Sequence, residues 1–149
     1  MGMYTEFYFR ASIEDGPMAD WLDEQINREG WFEAQPTNNY LVHEWFNSPR
    51  WSHVFIGGGA VYQESRRPIF RRKGTNGVSP YRNELVLASS LKDYGSEIEA
   101  FVEWITPHLD MHVGDFLGYQ LYEDCTDGSD EYREHPTLYF YKREAVHKA

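Results

Sequence analysis

Residues 6–15 read EFYFRASIED, and residues 84–93 read ELVLASSLKD. Both segments open on Glu, alternate large apolar residues, hold a Ser at the same place and close on Asp. In the first, Phe7, Phe9, Ala11 and Ile13 share one side, with Tyr8, Arg10 and Ser12 on the other. In the second, Leu85, Leu87, Ser89 and Leu91 share a side. Alternation with a period of two is the mark of a strand buried on one face only.

Each predicted strand is followed by a helix signal. After the first comes GPMADWLDEQINREG, in which Pro17 suits the first helical position because an N–H there would be unpaired anyway. Met18, Trp21, Leu22 and Ile26 then recur at three- and four-residue spacing, and Gly30 is a natural stop. After the second comes YGSEIEAFVEWITPHLD, where Ser96 and Glu99 have capping-box spacing. Ile98, Phe101, Val102 and Ile105 make its apolar stripe, and Pro107 marks its end.

Two further strand-like runs follow each helix: SHVFIGGGAVYQE and RPIFRRK in the first half, DFLGYQLYED and PTLYFYK in the second. A proline opens the last strand of each half, where a missing N–H is tolerated at a sheet edge. The order β-α-β-β thus occurs twice, in halves of about 4–73 and 83–143 within one domain spanning 1–149. Such a duplication predicts an α+β two-layer sandwich, with both helices on one face of an antiparallel or mixed sheet. Tyr8, Arg10 and Tyr119 or Tyr139 are expected on the other face. The first half carries an extra aromatic segment, WFEAQPTNNYLVHEWFNSPRW, in which NYLVHEWF is expected to add a strand and SPRW to turn the chain.

The 149 residues suit one domain, and an aromatic content of 17% supplies core material despite a mean hydropathy of −0.67. A net charge of −10 disfavours nucleic acid and anionic membranes and is compatible with a partner that has a basic surface. The single cysteine, Cys125, excludes an internal disulfide and makes a cytoplasmic location the default. The N-terminus lacks the pattern of a signal peptide, and no stretch reaches the length of a membrane span.

Against this acidic background Arg66, Arg67, Arg71, Arg72 and Lys73, with Arg82 beyond a Gly- and Ser-rich linker, are a marked concentration of the 14 Lys and Arg. Guanidinium forks bind phosphate bidentately, so the cluster is a candidate site for a phosphate-containing small molecule. Charges on an edge strand also block edge-to-edge aggregation. Trp45 and Trp51 are candidate partner-binding residues, because indoles anchor interfaces; with Trp31 and Tyr40 they are also core material, and core is expected for at least two of the four. Gly57, Gly58 and Gly59 lack the Lys-Ser/Thr of a phosphate loop and read as a bulge or turn. His108 and His112 have i, i+4 spacing but follow Pro107 and show no third ligand. Asp124, Asp127, Asp130 and Glu131 miss calcium-loop spacing, and Cys125 among them has neighbours that disfavour a thiolate. No catalytic residue, metal site or cofactor is assigned, and an enzyme is not expected.

LKDYGSEIEAFVEWITPHLD, FLGYQLYED and HPTLYFY together resemble small acidic proteins encoded in bacteriophage and prophage genomes, the likeness extending to the opening TEFYF. The shared pattern is an aromatic strand, a helix ending Trp-Ile-x-Pro, a Gly-Tyr strand and a Pro-Thr strand; it carries no catalytic motif. The resemblance implies an accessory protein that binds and inhibits a host or defence-system protein in the bacterial cytoplasm, through an acidic, aromatic surface. Two alternatives accompany it: a nucleotide-signal sponge built on Arg66–Arg82, and an immunity protein that neutralises a cognate toxin.

Overall fold

The computed structural model describes residues 4–29, 32, 34–58, 66–74, 82–122 and 135–142. Five strands form one antiparallel sheet: β1 (Thr5–Ile13), β2 (Arg66–Arg71), β3 (Asn83–Leu91), β4 (Phe116–Tyr122) and β5 (Thr137–Phe140), in the order β2-β3-β1-β4-β5. The helices are α1 (Pro17–Asp23), which runs on into a π-helical turn at Glu24–Glu29, the short α2 (His53–Ile56), and α3 (Glu97–Ile105). The chain is an α+β sandwich, as the sequence pattern predicts.

The two opening segments are the two central strands. β1 and β3 pair along their whole length, Thr5 against Leu91 through Ile13 against Asn83. β1 also pairs with β4 from Thr5–Tyr122 to Phe9–Gly118. Since every pairing is antiparallel, β1 and β2 run parallel with β3 between them. By the same logic β3 and β4 run parallel with β1 between them. Two split β-α-β units therefore interlock, the arrangement of a ferredoxin-like sheet, and β5 adds a hairpin strand beside β4.

Phe7, Phe9, Leu85 and Leu87 all turn to the helical side and are fully buried. Phe101 of α3 meets Phe7 and Phe9 edge-on at 5.7 and 5.2 Å between ring centroids. Trp21 of α1 packs against Phe55 of α2 and Trp104 of α3. Burying one such Phe contributes about 2–3 kcal/mol, which makes this layer the main driving force of the fold.

Two strand expectations are overturned. SHVFI is the helix α2: Ile56 and Gly57 donate to the carbonyls of Ser52 and His53 at 3.0 and 2.8 Å. Val54 and Phe55 are buried in succession, as one turn of helix allows. Gly57, at φ 84°, ends that helix, a left-handed conformation that glycine adopts without a Cβ clash. Residues 59–64, the rest of that predicted strand, lie outside the described residues. NYLVHEWF likewise forms a turn followed by a 3-10 helix at Glu44–Asn47, capped by the His43 ring nitrogen accepting from the Trp45 amide at 3.0 Å. Among the described residues the repeated unit is thus β-α-β, with the fourth element present only in the second half.

The capping box also takes another form. Ser96 is left-handed at φ 56° and makes no cap bond; Asp93 accepts from the Ile98 amide at 3.0 Å in its place.

Candidate functional site

The second face of the sheet has no helix against it among the described residues. Strand alternation sets Glu6, Tyr8, Arg10 and Ser12 of β1 on this face, opposite Ser90, Ala88, Val86 and Glu84 of β3 respectively. β2 adds Ile69 and Arg71, and β4 adds Tyr119. Tyr8 and Tyr119 stack with centroids 6.0 Å apart and planes inclined by 18°. The Tyr119 hydroxyl donates to Glu6, and this bond pushes the phenol up to about 12. Phe116 and Phe140 form an edge-on pair at 5.6 Å although each is about half exposed (50% and 44%). Leu138 is 51% exposed beside them. The β4–β5 end of the face is therefore apolar, and its opposite end is charged.

At the charged end Glu84 accepts from Arg10 at 3.2 Å and sits 3.8 Å from Arg71. Glu84 raises the pKa of Arg10 first through this hydrogen bond and then through its charge. One carboxylate between two guanidiniums leaves a surplus positive charge. A cleft of about 390 Å³ opens beside them, lined by Tyr8, Arg10, Ser12, Arg82, Met111 and Phe116 among others.

The basic cluster expected from Arg66 to Arg82 is divided between the two sides of the sheet. Arg72 turns to the helical side and pairs with Asp20 and Asp23 at 3.0 and 3.6 Å. Lys73 pairs with Asp15, and that bond together with one from Asn83 holds the Asp15 carboxyl below its usual range. Arg72 ties the end of β2 to α1, and Lys73 ties the residues after β2 to the turn before that helix. Arg66 borders a small recess with Glu6, Tyr8 and Tyr119, Arg67 is exposed on the edge strand, and Arg71 and Arg82 lie by Glu84. Arg10, outside the cluster in sequence, is the arginine that completes the group.

Trp45 and Trp51, candidates for partner binding or for the core, lie in the core. They are 3% and 7% exposed and pack on one another at 6.0 Å, so neither presents a surface to a partner. Trp104 fastens their segment to α3 by donating to the Leu41 carbonyl at 2.8 Å. Tyr139, one of two tyrosines proposed for the open face, lies on the helical side with its hydroxyl donating to Glu99 at 2.6 Å. Burial and then that bond raise its pKa.

His108 is half-buried, which lowers its pKa, whereas His112 is exposed and 3.6 Å from Asp115. Among the described residues no three His, Cys, Asp or Glu side chains meet as a ligand set. Cys125 and the acidic residues 124–131 lie outside the described residues. Acidic side chains gather at the start of α3. Glu97 is 2% exposed, with one carboxylate oxygen lacking a hydrogen-bond partner among the described residues. Asp93 nearby is pushed up to about 6 by burial, against the pull of the Ile98 amide.

No helix among the described residues is long and apolar enough to cross a membrane. Comparison of the chain with protein-family models, with curated proteins and with solved structures finds no match in any of the three.

Proposed function

We propose that the chain is a non-enzymatic binding protein that docks a partner protein on the uncovered face of its sheet and inhibits it. The observation that carries this reading is the exposed apolar group at the β4–β5 end, Phe116, Leu138 and Phe140 beside the stacked Tyr8–Tyr119 pair. Half-exposed aromatic rings gathered on one face are the usual core of an interface, and flanking charges steer the encounter. The likeness to phage accessory proteins supports a host or defence-system protein as the target, in the bacterial cytoplasm. Capture from host lysate at low and high salt tests the reading, with Phe116→Glu as the interface variant and Arg72→Ala as a control from the α1 side. The partner should be lost with Phe116→Glu and kept with Arg72→Ala; equal capture by all three proteins would reject it.

A second reading has its own support. The cleft brings Arg10 and Arg82 together with the rings of Tyr8 and Phe116, the chemistry that holds an anionic planar molecule such as a nucleotide. A thermal-shift panel of mono-, di- and cyclic nucleotides decides it. A shift that vanishes in Arg10→Ala would favour the sponge, and no shift would remove it.

A further inference from the structure

The two edges of the sheet are built differently. β2, at one edge, reads RRPIFR, with Arg66, Arg67 and Arg71 exposed and Pro68 in the strand. Charge and proline are the usual protection of an edge against pairing with another chain. β5, at the other edge, reads TLYF, with no charge and with Leu138 and Phe140 half exposed. Among the described residues β5 pairs only with β4. Tyr141 turns its amide and carbonyl inward to Asp115 and Gly114 at 2.8 and 2.9 Å. Phe140, one residue earlier on an alternating chain, then directs its backbone groups outward.

A groove of about 270 Å³ runs alongside this open edge. One wall is α3 with the 3-10 turn that follows it, Glu99, Val102 and Glu103 coming from the helix and Thr106 from the turn, a single i, i+3, i+4, i+7 stripe. The other wall is β5 itself, with Lys142 at its end. An edge strand facing a helix across a groove is the arrangement in which an extended peptide adds to a sheet.

We propose that β5 and α3 capture an extended, basic segment of the partner protein, which adds to the sheet as a strand beside β5. This rests on the binding reading above and names its mode and its chemistry. The backbone of the segment would pair with the outward edge of β5, and its apolar residues would cover Leu138 and Phe140. Its Lys or Arg residues would face Glu103 and Glu99 on the α3 wall. A second copy of this chain is a poorer occupant, because each copy carries a net charge of −10.

The test is fluorescence anisotropy with labelled Lys-Val-Lys-Val-Lys-Val, its Glu-Val counterpart, and a form of the first N-methylated at alternate residues. Saturable binding of the basic peptide is expected, about tenfold or more tighter than the acidic one and weakened by salt. N-methylation along one edge of the peptide should abolish it, since strand addition needs those N–H groups. Glu103→Lys, an exposed substitution, should reverse the charge preference, and Leu138→Lys should remove binding while the thermal transition is retained. No saturable binding, or binding indifferent to N-methylation or to Glu103→Lys, would overturn the proposal. So would a concentration-dependent dimer, seen by light scattering and lost in Leu138→Lys, because the edge would then belong to a second copy. Partner capture sensitive to Phe116→Glu without any peptide binding would leave the binding reading standing and remove the strand-addition mode alone.

Discussion

Tyr8 and Tyr119 lie face to face across the β1–β4 seam, 6.0 Å between ring centroids, and the Tyr119 hydroxyl donates to Glu6 on the same strand as Tyr8. The pair joins the centre of the sheet to its apolar end. The carboxylate of Glu6 favours the neutral phenol, so Tyr119 ionises at about 12. A phenol whose pKa is raised on folding contributes stability that is present below pH 10 and lost as pH climbs toward 12. Phenolate absorbance should therefore show a late-titrating tyrosine that disappears in Tyr119→Phe, and that variant should lose less stability in this window than the wild type.

Gly118 is where β4 crosses closest to β1. A Cβ there would run into the Tyr8 carbonyl and lie 2.9 Å from the Phe9 Cα, both of them backbone atoms that cannot rotate aside. Gly118→Ala should force the strands apart and cost about 3 kcal/mol, as overpacking of a rigid site does. Urea unfolding checks it: a midpoint unchanged within error would show that the seam yields.

Trp104 donates to the Leu41 carbonyl in the core, holding the aromatic segment against α3. Trp104→Phe keeps a ring but leaves that carbonyl unpaired, at a cost of about 1–3 kcal/mol. Hydrogen exchange should show the loss locally, with faster exchange at Trp45 and Phe46 than at the paired amides of β1.

Asp93 ionises at about 6 because burial opposes its charge. The sign is that of a raised carboxyl: its contribution is full at pH below about 4 and is lost as pH rises through about 6. Asp93→Asn keeps an oxygen for the Ile98 amide and removes the charge. It should flatten this part of the pH profile and stabilise the protein at neutral pH, on the order of 1 kcal/mol once solvent screening is allowed for. Thermal melts across that range measure it, and an Asp93→Asn profile parallel to that of the wild type would refute the assignment.

Much of the sheet is legible in sequence because a half-buried strand writes its period directly. Phe7 and Phe9 alternate with Glu6, Tyr8 and Arg10, Leu85 and Leu87 alternate with Val86 and Ala88, and all four large residues lie under the helices as expected. The segment 39–56 misleads for the converse reason. Leu41, Trp45, Phe46, Val54 and Phe55 are buried but follow no period of two, and short apolar runs fit a helical turn as well as a strand. The open face was only half legible. Tyr8 and Arg10 follow from alternation, whereas Glu84 as the partner of Arg10 depends on the register of β1 against β3.

The α+β class, the two central strands and the faces they bury can be read along the chain, because side-chain period is a local property of a strand or helix. The places taken by the charged and aromatic residues follow from the packed fold instead. Arg71 and Arg72 are neighbours in the chain, yet Arg71 reaches Glu84 on the open face and Arg72 reaches Asp20 on α1. Trp45 and Trp51 went to the core, and Phe116 and Phe140 met at the exposed end. Which residues become neighbours is set by strand order and register, and those depend on how distant segments pack together.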